Sequence, residues 1–202
     1  AYPYDDQVTA PRRPETSGVV MGWVILAIVV VLVLYVVFAY NGLVRGRNQI
    51  DNAWSQIDVQ LKRRIDLIPN LVETVKGYAA HERQTLEAVI NARNNAIAAP
   101  QTPQGQAGAS DALSGALRQL FALSESYPDL KANQNFLALQ EELTATEGRV
   151  AYARQFYNDS VLGYNNRLHV FPTVVIGRLF GFTQREYFQT DEASREVPKV
   201  QF

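Results

Sequence analysis

Val19–Tyr40 reads VVMGWVILAIVVVLVLYVVFAY, 22 residues without a charge, and no other feature limits the fold as much. A bilayer core takes about 20 apolar residues as one helix. Fifteen of these residues are Val, Ile, Leu or Phe. At roughly −0.3 to −0.6 kcal/mol each near the bilayer centre, they favour insertion by several kcal/mol. The run has no polar face, so it does not read as the core helix of a soluble domain. It is also longer than the roughly 7–15 apolar residues of a signal peptide, and its best small-residue cleavage site, Val37-Phe38-Ala39, fits poorly. The expectation is a transmembrane helix. Trp23 and Tyr40 near its ends, with Arg45 and Arg47 just beyond, are the expected membrane-interface residues.

Charge sets the expected orientation. Arg12 and Arg13 precede the run, accompanied by Asp5, Asp6 and Glu15. Arg45 and Arg47 follow it, and Lys62, Arg63 and Arg64 form a second cluster further on. The nearest cations tie, and the second cluster tips the balance toward a cytoplasmic domain with the N-terminus outside. Met21 is the single methionine; a chain starting there would carry all its nearby cations on the C-terminal side.

The rest of the chain reads as all-α. Residues 1–18 are polar and proline-bearing, which predicts a tail that is disordered or held by a neighbour. Past the anchor, Ile50, Trp54, Ile57, Leu61, Ile65, Ile68, Val72 and Val75 recur every three or four residues, one face of a long helix. Pro69 falls inside it and predicts a kink rather than a break. A second helix is expected over His81–Ala98, with Leu86, Val89, Ile90 and Ile97 inward. Ala98–Ser110 carries no charge and two prolines and reads as a flexible loop. A third helix follows over Asp111–Ser126, then a turn at Ser126–Asp129. A long fourth helix spans Lys131–Leu168, with the seam Phe136, Leu139, Leu143, Thr146, Val150, Ala153, Tyr157, Val161, Tyr164 and Leu168, slipping by one residue near Ser160. The expected architecture is a transmembrane helix (19–40), then an antiparallel four-helix bundle (41–169) with long first and fourth helices, and an irregular aromatic tail (170–202) packed on it.

Little in the sequence carries chemistry. There is no cysteine, which excludes disulfides, thiol nucleophiles and thiolate metal sites. Residues 41–202 hold 17 basic and 17 acidic side chains, and no basic stripe points to nucleic acid. His81-Glu82 begins like the zinc signature HExxH, but Thr85 stands where the second histidine belongs. No Glu precedes a His by three, as di-metal bundles need. His169 reads as a surface or packing residue rather than a ligand, and Glu141, Glu142 and Glu147 as a solvated face. Asn158-Asp159-Ser160 matches a glycosylation sequon but lies mid-helix. Asn165-Asn166-Arg167 reads as capping and surface hydrogen bonding. No catalytic, cofactor or metal residue is assigned. Candidate contacts with a partner or lipid headgroups are Lys62, Arg63 and Arg64 and the tail aromatics Phe180, Phe182, Tyr187 and Phe188. The cationic cluster lies about 33 Å from the apolar run if helical, so headgroup contact would need the helix to bend back. The uncharged loop is a further candidate.

These stretches together resemble a known family. Tyr40–Arg93, YNGLVRGRNQIDNAWSQIDVQLKRRIDLIPNLVETVKGYAAHERQTLEAVINAR, resembles the signature region of the bacterial LemA family. Tyr157–Val161 with Tyr164-Asn165, and the tail FPTVVIGRLFGFTQREYF…VPKVQF, resemble its C-terminal part. The resemblance covers Met21–Phe202 and leaves residues 1–20 outside. It implies a single-pass membrane protein with an antiparallel helical bundle, no known enzymatic activity and no cofactor. Residues and resemblance together predict a non-enzymatic scaffold or adaptor in the bacterial inner membrane. Its expected partners are the bilayer, further copies of itself or another membrane protein. The rival expectations are an enzyme acting on lipid or cell-envelope precursors and a membrane sensor. The apolar run has no G-x-x-x-G, so self-assembly would rest on the bundle.

Overall fold

The computed structural model describes residues 16–189. Most of the polar N-terminal stretch and the final VPKVQF lie outside the described residues, as do the expectations made for them. All regular structure among the described residues is helical, in six elements: α1 Thr16–Lys76, α2 Arg83–Ala98, α3 Pro103–Ser124, α4 Pro128–Lys131, α5 Gln134–His169 and α6 Thr173–Leu179. The chain divides into two compact units, Ala1–Gly42 and Leu43–Phe202.

In the first unit, residues 18–40 of α1 are exposed throughout, apart from the half-buried Ala39. One candidate membrane helix is found among the described residues, and none of its most apolar stretch is buried. A surface this apolar without a protein neighbour fits a segment whose solvent is lipid.

In the second unit, α1, α2, α3 and α5 pack around two clusters of buried side chains. One joins Ile68, Leu71 and Val75 to Leu86, Val89, Leu117, Leu120, Phe136 and Leu143. The other joins Leu43, Ile50, Ile57 and Leu61 to Ala107, Val150, Tyr157, Val161, Leu168 and Phe188. Helices α1 and α5 run antiparallel: Gln49 Nε2 donates to Ser160 Oγ at 3.4 Å, Trp54 meets Tyr157 with ring centroids 5.8 Å apart, and Arg63 pairs with Glu142 at 2.5 Å. Helix α3 runs antiparallel to α5, through Asp111 with Arg154 and Phe121 with Phe136. Helix α1 stays one element across Pro69.

Every expected seam residue of α5 is buried except Leu139, which is half-buried against the first cluster. The expectations that differ have local causes. Residues 103–110 are not a loop but the first two turns of α3. Thr102 caps them by accepting from the Gly105 amide at 3.2 Å, and Pro103 opens the helix, where a missing N–H costs nothing. Gln106, Ala107 and Ser110 are buried there, so this stretch is no free docking loop. On α2 the inward face is Leu86, Val89, Ala92 and Ala96, while Ile97 is exposed and Ile90 half-buried. The turn at Ser126–Asp129 runs into the short α4. Helix α5 begins at Gln134, where Asn133 accepts from the Phe136 amide at 2.9 Å. The tail is not wholly irregular: α6 occupies it, ended by Gly181 at φ 71°, a conformation glycine adopts freely.

Candidate functional site

The cationic cluster Lys62-Arg63-Arg64 is split three ways. Lys62 is exposed, and Arg63 is held by Glu142. Arg64 is 2% exposed, which corrects its expectation as a headgroup or partner contact. The seam of α1 explains this. Ile57, Leu61, Ile68, Leu71 and Val75 are buried in a strict three-four alternation, and Arg64 fills the position between Leu61 and Ile68. Choosing Ile65 as the seam residue hid this from the sequence.

Arg64 belongs to a polar layer between the two apolar clusters. Its Nη1 donates to Ser114 Oγ on α3 at 2.8 Å, and its Nη2 lies 3.7 Å from Glu147 Oε2 on α5. Its buried Nε has no hydrogen-bond partner. Burial pushes the Arg64 pKa down; Glu147 opposes that shift and Arg118 adds to it. A guanidinium remains charged in water regardless. Ser110, Ser114 and Thr146 are the other buried polar groups of the layer. A cavity of about 340 Å³ opens beside it, lined among others by Arg64, Ser110, Asp111, Arg118, Glu147 and Arg154.

The second feature is the tail. Phe188 is 1% exposed and belongs to the second cluster, with Phe182 and Tyr187 half-buried against it. These three aromatics form part of the core and are not a free partner surface, which corrects that expectation; Phe180 alone remains exposed. Two asparagines of α5 hold the backbone. Asn165 Nδ2 donates to Arg185 O and its Oδ1 accepts from Arg185 N, both at 2.9 Å. Asn158 does the same for Phe188, at 3.2 and 2.8 Å. Tyr157 Oη donates to Glu186 O at 2.9 Å, and Arg185 reaches Asp51 on α1 at 2.9 Å. Asn165 is therefore a buried clamp and not a surface cap. His169 Nδ1 lies 2.7 Å from Asn165 O, and its Nε2 lies 2.8 Å from Gln184 Nε2, a packing role. Arg154 stands over the Phe188 ring at 4.9 Å, linking tail and polar layer.

The third feature is an open apolar groove of about 630 Å³ between α1 and α5. Ser55, Ala145 and Gly148 are among its lining residues. Val59 and Tyr152 also line it and stand 60% and 73% exposed, large values for such side chains on a helical domain. The side-chain oxygen of Gln60, also in its lining, is buried without a hydrogen-bond partner.

Other expected residues fall as follows. Trp23, Tyr40, Arg45 and Arg47 are exposed, with the Arg47 guanidinium 5.8 Å from the Phe182 ring centroid. Glu82 accepts from Tyr127 Oη at 2.8 Å, and this bond raises the Tyr127 pKa. Among the described residues no group of His, Asp or Glu could hold a metal ion.

The model of the LemA family matches residues 53–202. The chain belongs to the LemA family. That match spans the polar layer, the asparagine clamps and the groove. Among relatives, Protein LemA of Metamycoplasma hominis is 27% identical over 91% of this chain and 85% of its own length. Magnetosome protein MamQ 2 of Paramagnetospirillum magneticum is 25% identical over 82% of this chain and 70% of its own. Magnetosome protein MamQ of Magnetospirillum gryphiswaldense is 25% identical, with 91% and 77% covered. The LemA family reading, the all-α fold and the one candidate membrane helix among the described residues agree.

Proposed function

We propose that this LemA-family chain is a membrane-anchored, non-enzymatic scaffold whose helical domains associate, copy to copy, through the groove between α1 and α5. The observation that carries this reading is that one exposed patch holds both projections, Val59 and Tyr152, and a recess beside the small residues Ser55, Ala145 and Gly148. A two-fold contact needs the same patch to present both halves of the fit. Tethering through residues 19–40 would hold copies in one orientation and raise their effective concentration, so a modest contact suffices. Trp23, Tyr40, Arg45 and Arg47 would set the anchor's depth. The positive-inside balance supports the bacterial inner membrane with the helical domain in the cytoplasm. The relatives' names specify no reaction, in keeping with a non-enzymatic role.

Light scattering on detergent-extracted protein at micromolar concentration tests the reading. A Cβ at Gly148 would meet nothing within 4 Å, so Gly148→Arg leaves the fold intact while filling the recess. The expected result is an oligomer for the native chain and a monomer for the variant. A native chain that runs as a monomer contradicts the proposal.

A further inference from the structure

Val170, Phe171, Val175, Leu179 and Phe180 follow closely on one another past the end of α5, and all are exposed. Phe171 and Leu179, at 78% and 77%, are the most exposed large apolar side chains among the described residues. The segment is nonetheless well ordered against the domain. Ile176 and Gly177 of α6 are buried, and a Cβ at Gly177 would lie 2.9 Å from Leu168 Cδ2, so α6 presses on the end of α5. The amides of Val174, Phe180 and Phe182 donate to the carbonyls of Val170, Ile176 and Gly177 at 2.9, 3.0 and 2.9 Å. Those amides therefore stay paired if the segment leaves water. A run of large apolar side chains held outward by a folded element marks a contact surface.

The position of this segment within the second unit names its partner. The pairing of α1 with α5 advances from Arg63 and Glu142 through Trp54 and Tyr157 to Gln49 and Ser160. It ends where a Cβ at Gly46 would lie 3.1 Å from the Tyr164 ring, with Leu43 and Leu168 in one cluster. Residues 170–180 follow Leu168 and so belong to the end of the unit that holds Leu43. Leu43 is three residues from Tyr40, where the apolar run stops. Three residues span about 11 Å at most, so the covalent chain alone keeps Leu43 near the bilayer boundary. Charge points the same way. Arg45, Arg47, Arg167 and Arg178 are exposed, and residues 41–50 and 160–185 hold no carboxylate side chain. Asp51, next along α1, is engaged by Arg185.

We propose that residues 170–180 lie in the interfacial zone of the bilayer, a second membrane contact in addition to the anchor. The apolar side chains sit about 5–10 Å into the headgroup–acyl boundary. The arginines keep their charged heads among anionic phosphates. A second contact restrains the domain against rotation about its anchor. The inference rests on residues 19–40 spanning the bilayer and is independent of copy-to-copy association.

The chain has no cysteine, so a nitroxide on one introduced cysteine reports one place. Phe171→Cys and Leu179→Cys put the label in the patch. Leu137→Cys, exposed near the other end of α5, is the aqueous control, and Val30→Cys lies in the anchor. Each full-length labelled chain is held at one copy per nanodisc of mixed phosphatidylcholine and phosphatidylglycerol. Power saturation then measures collisions with oxygen, which concentrates in lipid, and with a neutral nickel chelate, which stays in water. Both patch labels should meet oxygen more often and nickel less often than the Leu137 label, as the Val30 label does. Either patch label as open to nickel as Leu137 overturns the inference. Shielding from both reagents also overturns it, because protein and not lipid then covers the patch; a single copy per disc leaves no second chain to do so. Nickel access at Val30 as well would overturn the anchor and the inference together.

Discussion

Asn158 and Asn165 stand two turns apart on one face of α5, and each closes a pair of hydrogen bonds on the backbone of one tail residue, Phe188 and Arg185. A primary amide carries one acceptor and a pair of donors, so it can replace a neighbouring strand's peptide group. An extended segment of chain is thereby bound to a helix, with no strand among the described residues to pair with it. The Phe188 ring then drops between Trp54 and Arg154, so backbone clamp and core burial reinforce one another.

Asn165→Ala should therefore unfold more easily by about 1–3 kcal/mol, the penalty for leaving a buried amide and carbonyl unpaired. Asn158→Ala should destabilise less, since Asn158 is only half-buried. Thermal unfolding gives the magnitudes. Amide hydrogen exchange gives the place: the Arg185 amide should lose protection in Asn165→Ala.

A second prediction concerns the start of α3. A Cβ at Gly105 would lie 2.8 Å from Pro100 O, a backbone atom that cannot swing aside. Gly105→Ala should cost about 1–3 kcal/mol through overpacking, although alanine favours helices elsewhere. Thr102→Val, which removes the cap, should cost about 0.5–2 kcal/mol. Chemical denaturation of each variant checks both values.

A third contrasts two large apolar residues. Phe136 is 1% exposed in the first cluster, whereas Ile97 stands outside it at 53%. Phe136→Ala should lose about 3–5 kcal/mol, and Ile97→Ala should stay within about 0.5 kcal/mol of the native chain. Equal losses would mean that α2 faces the other way.

These contrasts show what the residues alone could reveal. The apolar run and the seam of α5 were legible because each is a long, uninterrupted signal of one period. The start of α3 was hidden because a cap, a proline and small residues also spell a loop; only the Thr102-Pro103 pair marks a helix start. Arg64 was hidden because a charged residue at a core position breaks the rule by which the core is found. The strict alternation Leu61, Arg64, Ile68, Leu71 was the signal that could have located it. Asn158 and Asn165 were hidden for a different reason: their partners lie at least 20 residues away, and no local pattern encodes such a pairing.

A fourth prediction is a pH effect. Burial pushes the Tyr157 pKa above its usual value near 10, with Arg185 opposing the shift. The folded chain then holds a proton that the unfolded chain releases first. The Tyr157 contribution is fully present below pH 10 and is lost as pH rises through the folded value. Tyr157→Phe should cost about 0.5–1.5 kcal/mol near neutral pH, for the lost bond to Glu186, and should flatten the alkaline fall in stability. Denaturation curves across alkaline pH, native against variant, read this directly.

Copy-to-copy contact through the groove is tested most directly in the membrane itself. The chain has no cysteine, so a single Tyr152→Cys substitution reports only its own surroundings. Glu87→Cys, exposed on α2 away from the groove, is the control. Oxidation or a short bis-maleimide on native membranes should link Tyr152→Cys into a dimer and leave Glu87→Cys monomeric. Linkage no greater at Tyr152 than at Glu87 would contradict the proposed interface.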